Sequence, residues 1–558
     1  MRRKLPKIPP VDQLSYKCVP NTVVQDIRYK LITPYLGGGT ESYKNDKHTL
    51  IRVSSIRGVL RFWWRATRGG LSHGDARHLR RLEARVWGGN CREYTAEAKL
   101  STSNAIANGV YANGQFTHVD GYVVEWAGNG IINVQYAQNG SYVYHDIQLA
   151  DKGEHNYELK NAQAVEIIRA DFDNQSLISL VVVLNDTKYE LQCSQKEVMH
   201  PARVKMHVVS SVHDSNDISE KSPGSSLLPG AGNIQINDVS SVLSYVLFPL
   251  RNGNVENARI TTGVEFTLHV EYPNLYQDDV EAALWAWEHF GGLGARTRRG
   301  LGAVERLHNQ SEPIVHNIPL ASRLTENLAR HVVDGIWPNH TPHISNVTVG
   351  KYGGATGASI FLGNQPAQID ARTVWGNLFE KYRDFRQHRF LRNGKPHGEN
   401  IWPEPNSLRQ MERAPLRNVP PFAVQGFQSH FPRAQMGMPV AHFFPGKGAK
   451  FNPEISKDVT RTINIPDMHE KDKEGRFASP VLFRPVRDGN AYKGIVVILG
   501  GSRAPQSAKV IETNKQIPVY GAPTAGQTHG PSLQDRDGNP HGPTTTDDVL
   551  YGLFNFFQ

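Results

Sequence analysis

Four arginines recur along one short segment of this 558-residue chain. Ser54 and Ser55 open the run IRGVLRFWWRATRGG, which predicts a helix that the serines cap and that stops at Gly69 and Gly70. At about 100° per residue, the four arginines share an arc of roughly 80°, while apolar residues gather on another arc and are expected to face a core. The arginines are Arg57, Arg61, Arg65 and Arg68, and the apolar residues are Ile56, Val59, Leu60 and Trp63.

This arginine stripe is typical of a surface that binds a polyanion. Guanidinium groups on one face repel one another, and carboxylates are sparse nearby in the sequence, so we expect an anion to neutralise them. A phosphodiester chain fits, because arginine makes paired hydrogen bonds to phosphate and the indole of Trp64, beside the stripe, can stack on a base. The alternative is a solvated face whose arginines pair with acids elsewhere in the fold.

A second basic segment, GGLGARTRRGLGAV at residues 291–304, follows a predicted helix directly. Its glycines allow backbone amides to approach an anion closely, and its arginines supply positive charge. Its spacing matches neither the Walker pattern nor GxGxxG, which disfavours a nucleotide-cofactor loop. The alternative is a glycine turn with exposed arginines. The residues are Gly291, Gly292, Gly294, Gly300 and Gly302, with Arg296, Arg298 and Arg299.

A third basic cluster lies on and after a predicted helix at residues 373–390. Aromatic side chains among basic ones suit single-stranded nucleic acid, but these phenylalanines are equally compatible with a helix core. The cluster contains Arg383, Arg386, His388, Arg389, Arg392, Lys395 and His397, with Phe385 and Phe390.

Patterns for catalysis and metal binding are sparse. HExxH and GxSxG are absent, and the three cysteines (Cys18, Cys91 and Cys193) form no CxxC pair. No catalytic residue, metal site or cofactor is therefore expected, although general acid–base cleavage of RNA by a histidine stays open. The cysteine usage fits a reducing cytosol, and no apolar run approaches the ~18 residues of a membrane span. We expect a cytoplasmic protein without membrane contact.

The charge of the chain is unevenly distributed. Sixty-two Lys and Arg against 53 Asp and Glu give a net charge of +9, yet residues 93–199 hold 14 acidic and 6 basic residues, a net of −8. The same stretch alternates strand-like runs with turn signals at Asn129-Gly130 and Asn139-Gly140, which predicts a separate acidic, β-rich insertion. Such asymmetry suggests a polyanion-binding body that carries an acidic module.

The elements that must position the basic segments are mixed. Strands and helices follow one another without regular βαβ alternation, so an α+β fold is favoured over a doubly wound one. Strand patterns begin at Val23 and recur at 202–212, 265–272, 481–488 and 494–501, and an amphipathic helix with acidic residues at its start covers 278–290.

Together these segments resemble the RAMP-superfamily first subunit of the Cmr complex, the type III-B CRISPR effector. The resemblance covers about residues 27–500. Its blocks, in chain order, are LITPYLGGG, SSIRGVLRFWWRA, GGLGARTRRGLGAV, FRQHRF, ENIWPEPNSLRQ, FPRAQMGMPVAHFF and RFASPVLFRPV.

The resemblance implies two ferredoxin-like (RNA-recognition-motif-like) RAMP domains with glycine-rich loops. The expected organisation is an irregular arm at 1–20, a first domain at 21–310 interrupted by the insertion at 92–201, and a second domain at 311–558 with a Gly/Pro-rich tail. The resemblance also implies a subunit that does not cleave RNA. Its expected partners are the 3′ portion of the guide CRISPR RNA, the target RNA and the other RAMP subunits.

The matching motifs assign RNA contacts to two of the basic segments, and the charge pattern adds three further arginines. The motif residues are Arg57, Arg61, Trp64, Arg65, Arg296, Arg298 and Arg299, and the added ones are Arg68, Arg386 and Arg389.

Two other functions stay open. One is a RAMP-type endoribonuclease that processes CRISPR precursor RNA, which needs a general base or a positioning group beside the arginines. The other is a protein scaffold whose arginines dock acidic partners. For the insertion, the net charge of −8 suggests contact with a basic neighbour or restriction of access to the RNA path.

Overall fold

A computed structural model of the chain describes its two main folded parts and most of the strands between residues 89 and 200. The predicted irregular arm at 1–20 lies outside the described residues, as does most of the Gly/Pro-rich segment that precedes the last helix. The described ranges are 21–37, 49–72, 74–100, 109–212 with short gaps, 246, 260–308, 313–354, 357–387, 389–413 with short gaps, 431–519 with gaps, and parts of 533–558.

The first half holds three long helices and sixteen strands among its described residues. The helices are α1 (Val53–Arg68), α2 (Ala76–Trp87) and α3 (Gln277–Phe290). The strands are β1 (Thr22–Leu31), β2 (Tyr35–Leu36), β3 (Gly89–Leu100), β4 (Gly109–Ala112), β5 (Gln115–His118), β6 (Val123–Gly128), β7 (Ile131–Gln138), β8 (Ser141–Asp151), β9 (Tyr157–Leu159), β10 (Val165–Asp173), β11 (Ser176–Leu184), β12 (Thr187–His200), β13 (Lys205–Val212), β14 (Ile260–Thr261), β15 (Glu265–Pro273) and β16 (Val304–Arg306).

The described part of the second half continues with shorter elements. Its helices are α4 (Leu320–His331), α5 (Ala371–Gln387), α6 (Glu404–Met411) and α7 (Val549–Phe557). Its strands are β17 (Ser359–Leu362), β18 (Arg389–Arg392), β19 (Lys395–Asn400), β20 (Val440–Phe444), β21 (Val459–Asn464), β22 (Val481–Asp488), β23 (Ala491–Ile498), β24 (Ser507–Val510), β25 (Lys515–Pro518), β26 (Leu533–Gln534) and β27 (Pro540–His541).

A four-stranded antiparallel sheet forms the centre of the first half. Its strand order is β13–β15–β1–β16, and β1 pairs with β15 from Thr22 opposite Pro273 to Lys30 opposite Glu265. Side chains alternate across the sheet, so that Tyr29 and Phe266 enter the core that α1 and α3 cover. In chain order, the strands and covering helices read β–α–β–β–α–β. The expected α+β class is confirmed.

The stretch between α2 and β13 is rich in strands. β3 pairs with β12 over its whole length, from Gly89 opposite His200 to Leu100 opposite Tyr189. They belong to the sheet β10–β11–β12–β3, and β4 to β9 form a second, six-stranded sheet in chain order. The strands on either side of the two predicted turns pair antiparallel, β6 with β7 and β7 with β8, while the turn residues Asn129-Gly130 and Asn139-Gly140 lie outside the described residues.

A three-stranded antiparallel sheet, β17–β23–β22, forms the centre of the second half. The helices α5 and α7 cover one face, where Phe379, Tyr382, Phe483 and Phe557 pack together. The other face contributes Leu482, Ile495 and Val497 to the same buried cluster as the core of the first half, so the apolar interior is continuous between the two halves.

The predicted serine cap of α1 is wrong. The helix begins at Val53, and the N-cap residue is Arg52, which makes no side-chain cap hydrogen bond. Ser54 and Ser55 therefore lie inside the first turn. The prediction that the helix stops at the glycine pair is confirmed, and the reason is tertiary. A Cβ on Gly69 or Gly70 would lie within 3 Å of the Trp337 indole, so both glycines allow a close approach of that ring.

Among the described residues, no helix combines the length and the apolar character that a membrane crossing requires. The same part of the chain holds no group of three or more His, Cys, Asp and Glu side chains placed to bind a metal ion.

Candidate nucleic-acid interface

The arginine stripe lies on the outer face of α1, as its periodicity predicts. Ile56, Leu60 and Trp63 are almost fully buried on the opposite face, which fixes the rotation of the helix about its axis. Arg57, Arg61, Arg65 and Arg68 are then left half-buried along one side.

The expectation that this stripe lacks acidic partners is wrong. Glu83 of α2 is 3% exposed, and its Oε1 accepts a hydrogen bond from Arg61 Nε (2.5 Å) and another from Arg65 Nη1 (2.6 Å). Arg68 Nε lies 3.4 Å from Asp279 Oδ1 at the start of α3. Burial raises the pKa of Asp279, while Arg68 opposes the shift. The acids come from two other helices, which local sequence does not reveal.

The pairing is nevertheless incomplete. Four arginines face two carboxylates, and Glu83 occupies only one nitrogen of Arg61 and one of Arg65. A guanidinium group has five N–H donors, so further donors remain for a ligand. Within the described part of the chain, Arg57 makes one long hydrogen bond, 3.4 Å from its Nη2 to the carbonyl oxygen of Val204. The stripe keeps an excess of two positive charges and is partly exposed.

Trp64 does not lie on this surface. Its side chain is 1% exposed, and its Nε1 donates a 2.7 Å hydrogen bond to Asp279 Oδ1. The ring is part of the core, so the expected stacking on a base is excluded in this conformation. Trp64 borders both arcs of the helix, so its position in the sequence is compatible with the surface as well as with the core.

The glycine-rich loop is built for close packing at the junction of the two halves. Arg296 and Gly300, which flank the single turn at 297–299, both have left-handed backbone conformations, at φ 59° and 72°. A Cβ on Gly300 would lie 2.8 Å from the carbonyl oxygen of Phe483, and one on Gly302 would overlap the carbonyl oxygen of Leu293. These two positions therefore require glycine, because any side chain would collide with the neighbouring backbone.

Two of the three loop arginines, Arg298 and Arg299, reach into the second half of the chain. Arg296 Nη1 donates to the carbonyl oxygen of Val246 (2.8 Å), and Arg298 Nη1 donates to that of Ser479. Arg299 lies over the ring of Tyr382, with 4.8 Å between the guanidinium carbon and the ring centroid. Among the described residues, neither Arg298 nor Arg299 has a carboxylate within 4 Å. Burial, and then the neighbouring Arg299, lower the pKa of Arg298.

The arginine stripe and the glycine-rich loop meet in space. The Arg298 guanidinium lies 5.8 Å from the centroid of the Phe62 ring on α1. Phe62 follows Arg61 directly, so Arg298 of the loop adjoins the stripe.

The third basic cluster joins the second through one tyrosine. Arg386 Nη1 lies 3.4 Å from the hydroxyl oxygen of Tyr382, whose ring also contacts Arg299. Although burial alone would raise it, these two guanidinium groups lower the pKa of Tyr382. Phe385 is 1% exposed and packs against Trp402, so it belongs to the core rather than to a stacking surface.

The remaining members of the third cluster lie partly beyond the described side chains. Arg383 pairs with Glu380 and Asp384 on its own helix. Arg389 opens β18, where its backbone pairs with Asn400, and its side chain lies outside the described residues. The predicted helix ends at Gln387, before the last basic residues of the cluster.

Sequence reasoning missed Arg484, a residue of the second half that forms hydrogen bonds to the glycine-rich loop. This side chain is 2% exposed and donates to the carbonyl oxygens of Trp287 (3.0 Å), Gly291 and Val304, and so it binds both ends of the glycine-rich loop. Burial lowers the pKa of Arg484 to about 9. An arginine inside the otherwise apolar run VLFRPV was the available signal.

Comparison with known proteins identifies the first half of the chain. The sequence model of the RAMP superfamily matches residues 28–305. No curated protein sequence matches the chain.

Two solved structures are similar over most of the chain. The crystal structure of apo Cmr1 from Pyrococcus furiosus is 12% identical, with a TM-score of 0.35, over 87% of this chain and 90% of that one. A cryo-EM structure of the type III-B Cmr-beta bound to cognate target RNA is 12% identical, with a TM-score of 0.29, over 87% of this chain and 96% of that one. These values are low, so the family assignment comes from the sequence match. Through residues 28–305, the chain belongs to the RAMP superfamily.

Proposed function

We propose that this protein is a non-catalytic RNA-binding subunit of a type III-B CRISPR effector complex. In this role it contacts the 3′ portion of the guide RNA and helps to capture target RNA beside other RAMP subunits. The superfamily match and the ordered sequence blocks across residues 27–500 support the assignment. Base pairing between guide and target would supply sequence choice, while this subunit would supply contacts to the sugar–phosphate chain.

The observation that carries the proposal is the shared use of Glu83. One carboxylate oxygen fixes the positions of Arg61 and Arg65 without neutralising both. Fixed, partly exposed guanidinium groups lose little conformational entropy when they bind phosphate. Arg57 extends the same row, and Arg298 adjoins it over Phe62. We place the RNA backbone along this row, with Trp64 in the core on which the helix packs.

Two ferredoxin-like domains are part of the same proposal. The β–α–β–β–α–β order of the first half and its sheet order, β13–β15–β1–β16, support this for residues 21–310. For residues 311–558, the support is the three-stranded order β17–β23–β22 with α5 between its first two strands in chain order. We further propose that the strands at 92–201 form an acidic insertion in the first domain.

RNA binding is tested by fluorescence anisotropy with a labelled single-stranded RNA across a range of salt concentrations. We expect affinity to fall as salt rises, with a log–log slope of roughly 0.7 for each phosphate contacted. Arg57→Glu should weaken binding about tenfold, because it places a negative charge in the row. The control is Arg330→Glu on α4, an exposed arginine paired with Glu281, which should bind within about twofold of the parent.

Absence of binding at low salt, or equal binding by Arg57→Glu, would contradict the proposal. The non-catalytic part is tested separately, by incubation of the protein with CRISPR repeat RNA without metal. We expect intact RNA. Defined cleavage that a single His→Ala substitution abolishes would favour the endoribonuclease.

A further inference from the structure

A cavity of about 580 Å³ lies between the two halves of the chain, apart from the arginine stripe. Its walls come from β1, β15, α3, β16, α4 and β22, and from the segment that leads into α4. The volume falls within the range of cavities that hold small organic ligands.

The charged groups of this cavity are unequal in number. Five arginines and three carboxylates line it, which leaves two positive charges in excess when its histidines are neutral. The arginines are Arg28, Arg306, Arg323, Arg484 and Arg487, and the acids are Asp26, Glu288 and Glu305. Arg487 and Glu305 satisfy each other through two hydrogen bonds, of 2.5 and 3.3 Å. The excess charge therefore belongs to the other arginines.

Arg323 is the least satisfied of these cations. Its side chain is 7% exposed, and Nη2 donates 2.6 Å to the carbonyl oxygen of Arg487. Its Nε and Nη1 are buried without a hydrogen-bond partner, and no carboxylate lies within 4 Å among the described residues. Arg484, 2% exposed, likewise has a buried Nε without a partner. Glu288 and Glu305 act electrostatically on Arg484, whereas Arg323 has, of the described carboxylates, Asp488 alone and at more than 4 Å, so an anion in the cavity would stabilise Arg323 in particular.

The cavity also presents hydrogen-bond acceptors. His289 Nδ1 lies 2.9 Å from the carbonyl oxygen of Trp285, so this nitrogen carries the proton and Nε2 is left as an acceptor. Burial lowers the pKa of His289 to about 3, which keeps the ring neutral near pH 7. The Asp26 carboxylate is largely exposed; its Oδ1 lies 2.7 Å from His269 Nδ1, so its other oxygen is the acceptor that it offers to a ligand. A ligand that is only an anion would leave these acceptors unused.

Flat and apolar groups complete the lining. Trp285, Leu307 and Ile314 border the cavity and provide surface for a ring. The lining thus offers cations for a phosphate, acceptors for hydroxyl groups and apolar surface for a base.

We propose that the cavity binds a single nucleotide through its phosphate, with Arg323 as the principal anion ligand. The ribose hydroxyls then donate to the acceptors at His289 and Asp26. Two sources have this chemistry, namely a free nucleotide and the terminal phosphorylated nucleotide of an RNA. The site is separate from the proposed RNA row, because Arg57, Arg61 and Arg65 do not line the cavity.

The proposal is tested by isothermal titration calorimetry, in which AMP is titrated into the full-length protein at low salt. A second arm compares two short RNAs of one sequence, with a 5′ phosphate and with a 5′ hydroxyl. We expect either AMP binding or tighter binding of the phosphorylated RNA. Arg323→Gln should reduce that binding, or that difference, by about tenfold or more, since it removes a charged donor.

Arg330→Gln, on the same helix but exposed, is the matched control and should leave both readouts unchanged. Because Arg323 is buried, Arg28→Gln provides a second variant at a half-exposed position on the cavity wall, and it too should weaken binding. Absence of AMP binding together with equal affinity for the two RNAs would overturn the proposal. So would AMP binding that neither Arg323→Gln nor Arg28→Gln alters. Neither result changes what is expected of Arg57→Glu. Failure of the nucleotide proposal is therefore distinguishable from failure of the proposed RNA contact along the arginine stripe.

Discussion

At the scale of single residues, Glu83 sets both the position and the net charge of the arginine stripe. Its buried carboxylate binds Arg61 and Arg65 and holds both guanidinium groups in place. The same contact lowers the charge that the stripe offers to RNA. Stability and RNA affinity therefore depend on this residue in opposite directions.

Replacement of Glu83 separates the two effects. We expect Glu83→Gln to lower the free energy of unfolding by about 2–4 kcal/mol, because two partly buried arginines lose their counter-ion. RNA affinity at low salt should rise, since the charge that both arginines regain outweighs the loss of the fixed positions that Glu83 gives them. Denaturant unfolding and anisotropy measure the two quantities. Glu326→Gln, at an exposed position of α4, is the control and should change neither. A rise in stability, or a fall in RNA affinity, would contradict this account.

His289 makes the fold sensitive to acid. Burial lowers the pKa of this imidazole from 6.5 to about 3, so the native protein does not take up a proton at pH 5 while the unfolded chain does. The unfolded state then binds more protons, and stability falls as the pH drops below about 6.5. One such group contributes roughly 2 kcal/mol of this loss between pH 6.5 and 5.

We expect His289→Gln to lose less stability than the parent over this interval. Thermal melting at pH 7, 6 and 5 measures the difference, with His340→Gln at an exposed position as the control. If the parent and His289→Gln lost stability in parallel, His289 would not be the source of the acid sensitivity.

At the scale of elements, local patterns predicted the framework well. β1, β15 and α3 lie within one or two residues of their expected bounds, since hydrophobic periodicity and turn residues are local properties. The acidic partners of the stripe were not predictable in this way. Asp279 lies 215 positions from Trp64, and only the packing of α1 on α3 brings them together. The burial of Trp64 escaped prediction for the same reason.

Substitution of Gly302 tests whether close packing explains the glycines of the glycine-rich loop. Gly302→Ala should lower the free energy of unfolding by about 3 kcal/mol or more, because a Cβ would overlap the carbonyl of Leu293 and φ is +62°. Gly376→Ala on α5 is the matched control. Among the described residues no atom lies within 4 Å of its Cβ position, so alanine there should stabilise the helix by about 0.5–1 kcal/mol. Equal denaturation midpoints for the two variants would rule out the packing explanation.

At the scale of the whole molecule, the predicted boundary near residue 310 does not divide the hydrophobic core. Leu324, Leu482 and Ile495 share one buried cluster with Tyr29 and Trp287. Sequence patterns locate strands and loops but not which faces meet, so this continuity was not predictable.

A shared core predicts cooperative unfolding. We expect calorimetry of the full chain to give one transition that includes both halves, because neither keeps its buried surface without the other. As a direct comparison, residues 21–310 produced alone should melt at a lower temperature than the full chain. Two well-separated transitions, one matching the isolated fragment, would show instead that the halves are energetically independent.

The hydrogen bonds from Arg484 to both ends of the glycine-rich loop have a consequence for how the protein folds during synthesis. Synthesis proceeds from the amino terminus, so the loop leaves the ribosome about 190 residues before the side chain that ties its two ends together. A nascent chain with only its first half exposed lacks that tie. The loop therefore reaches its final shape late, when most of the polypeptide has already been translated.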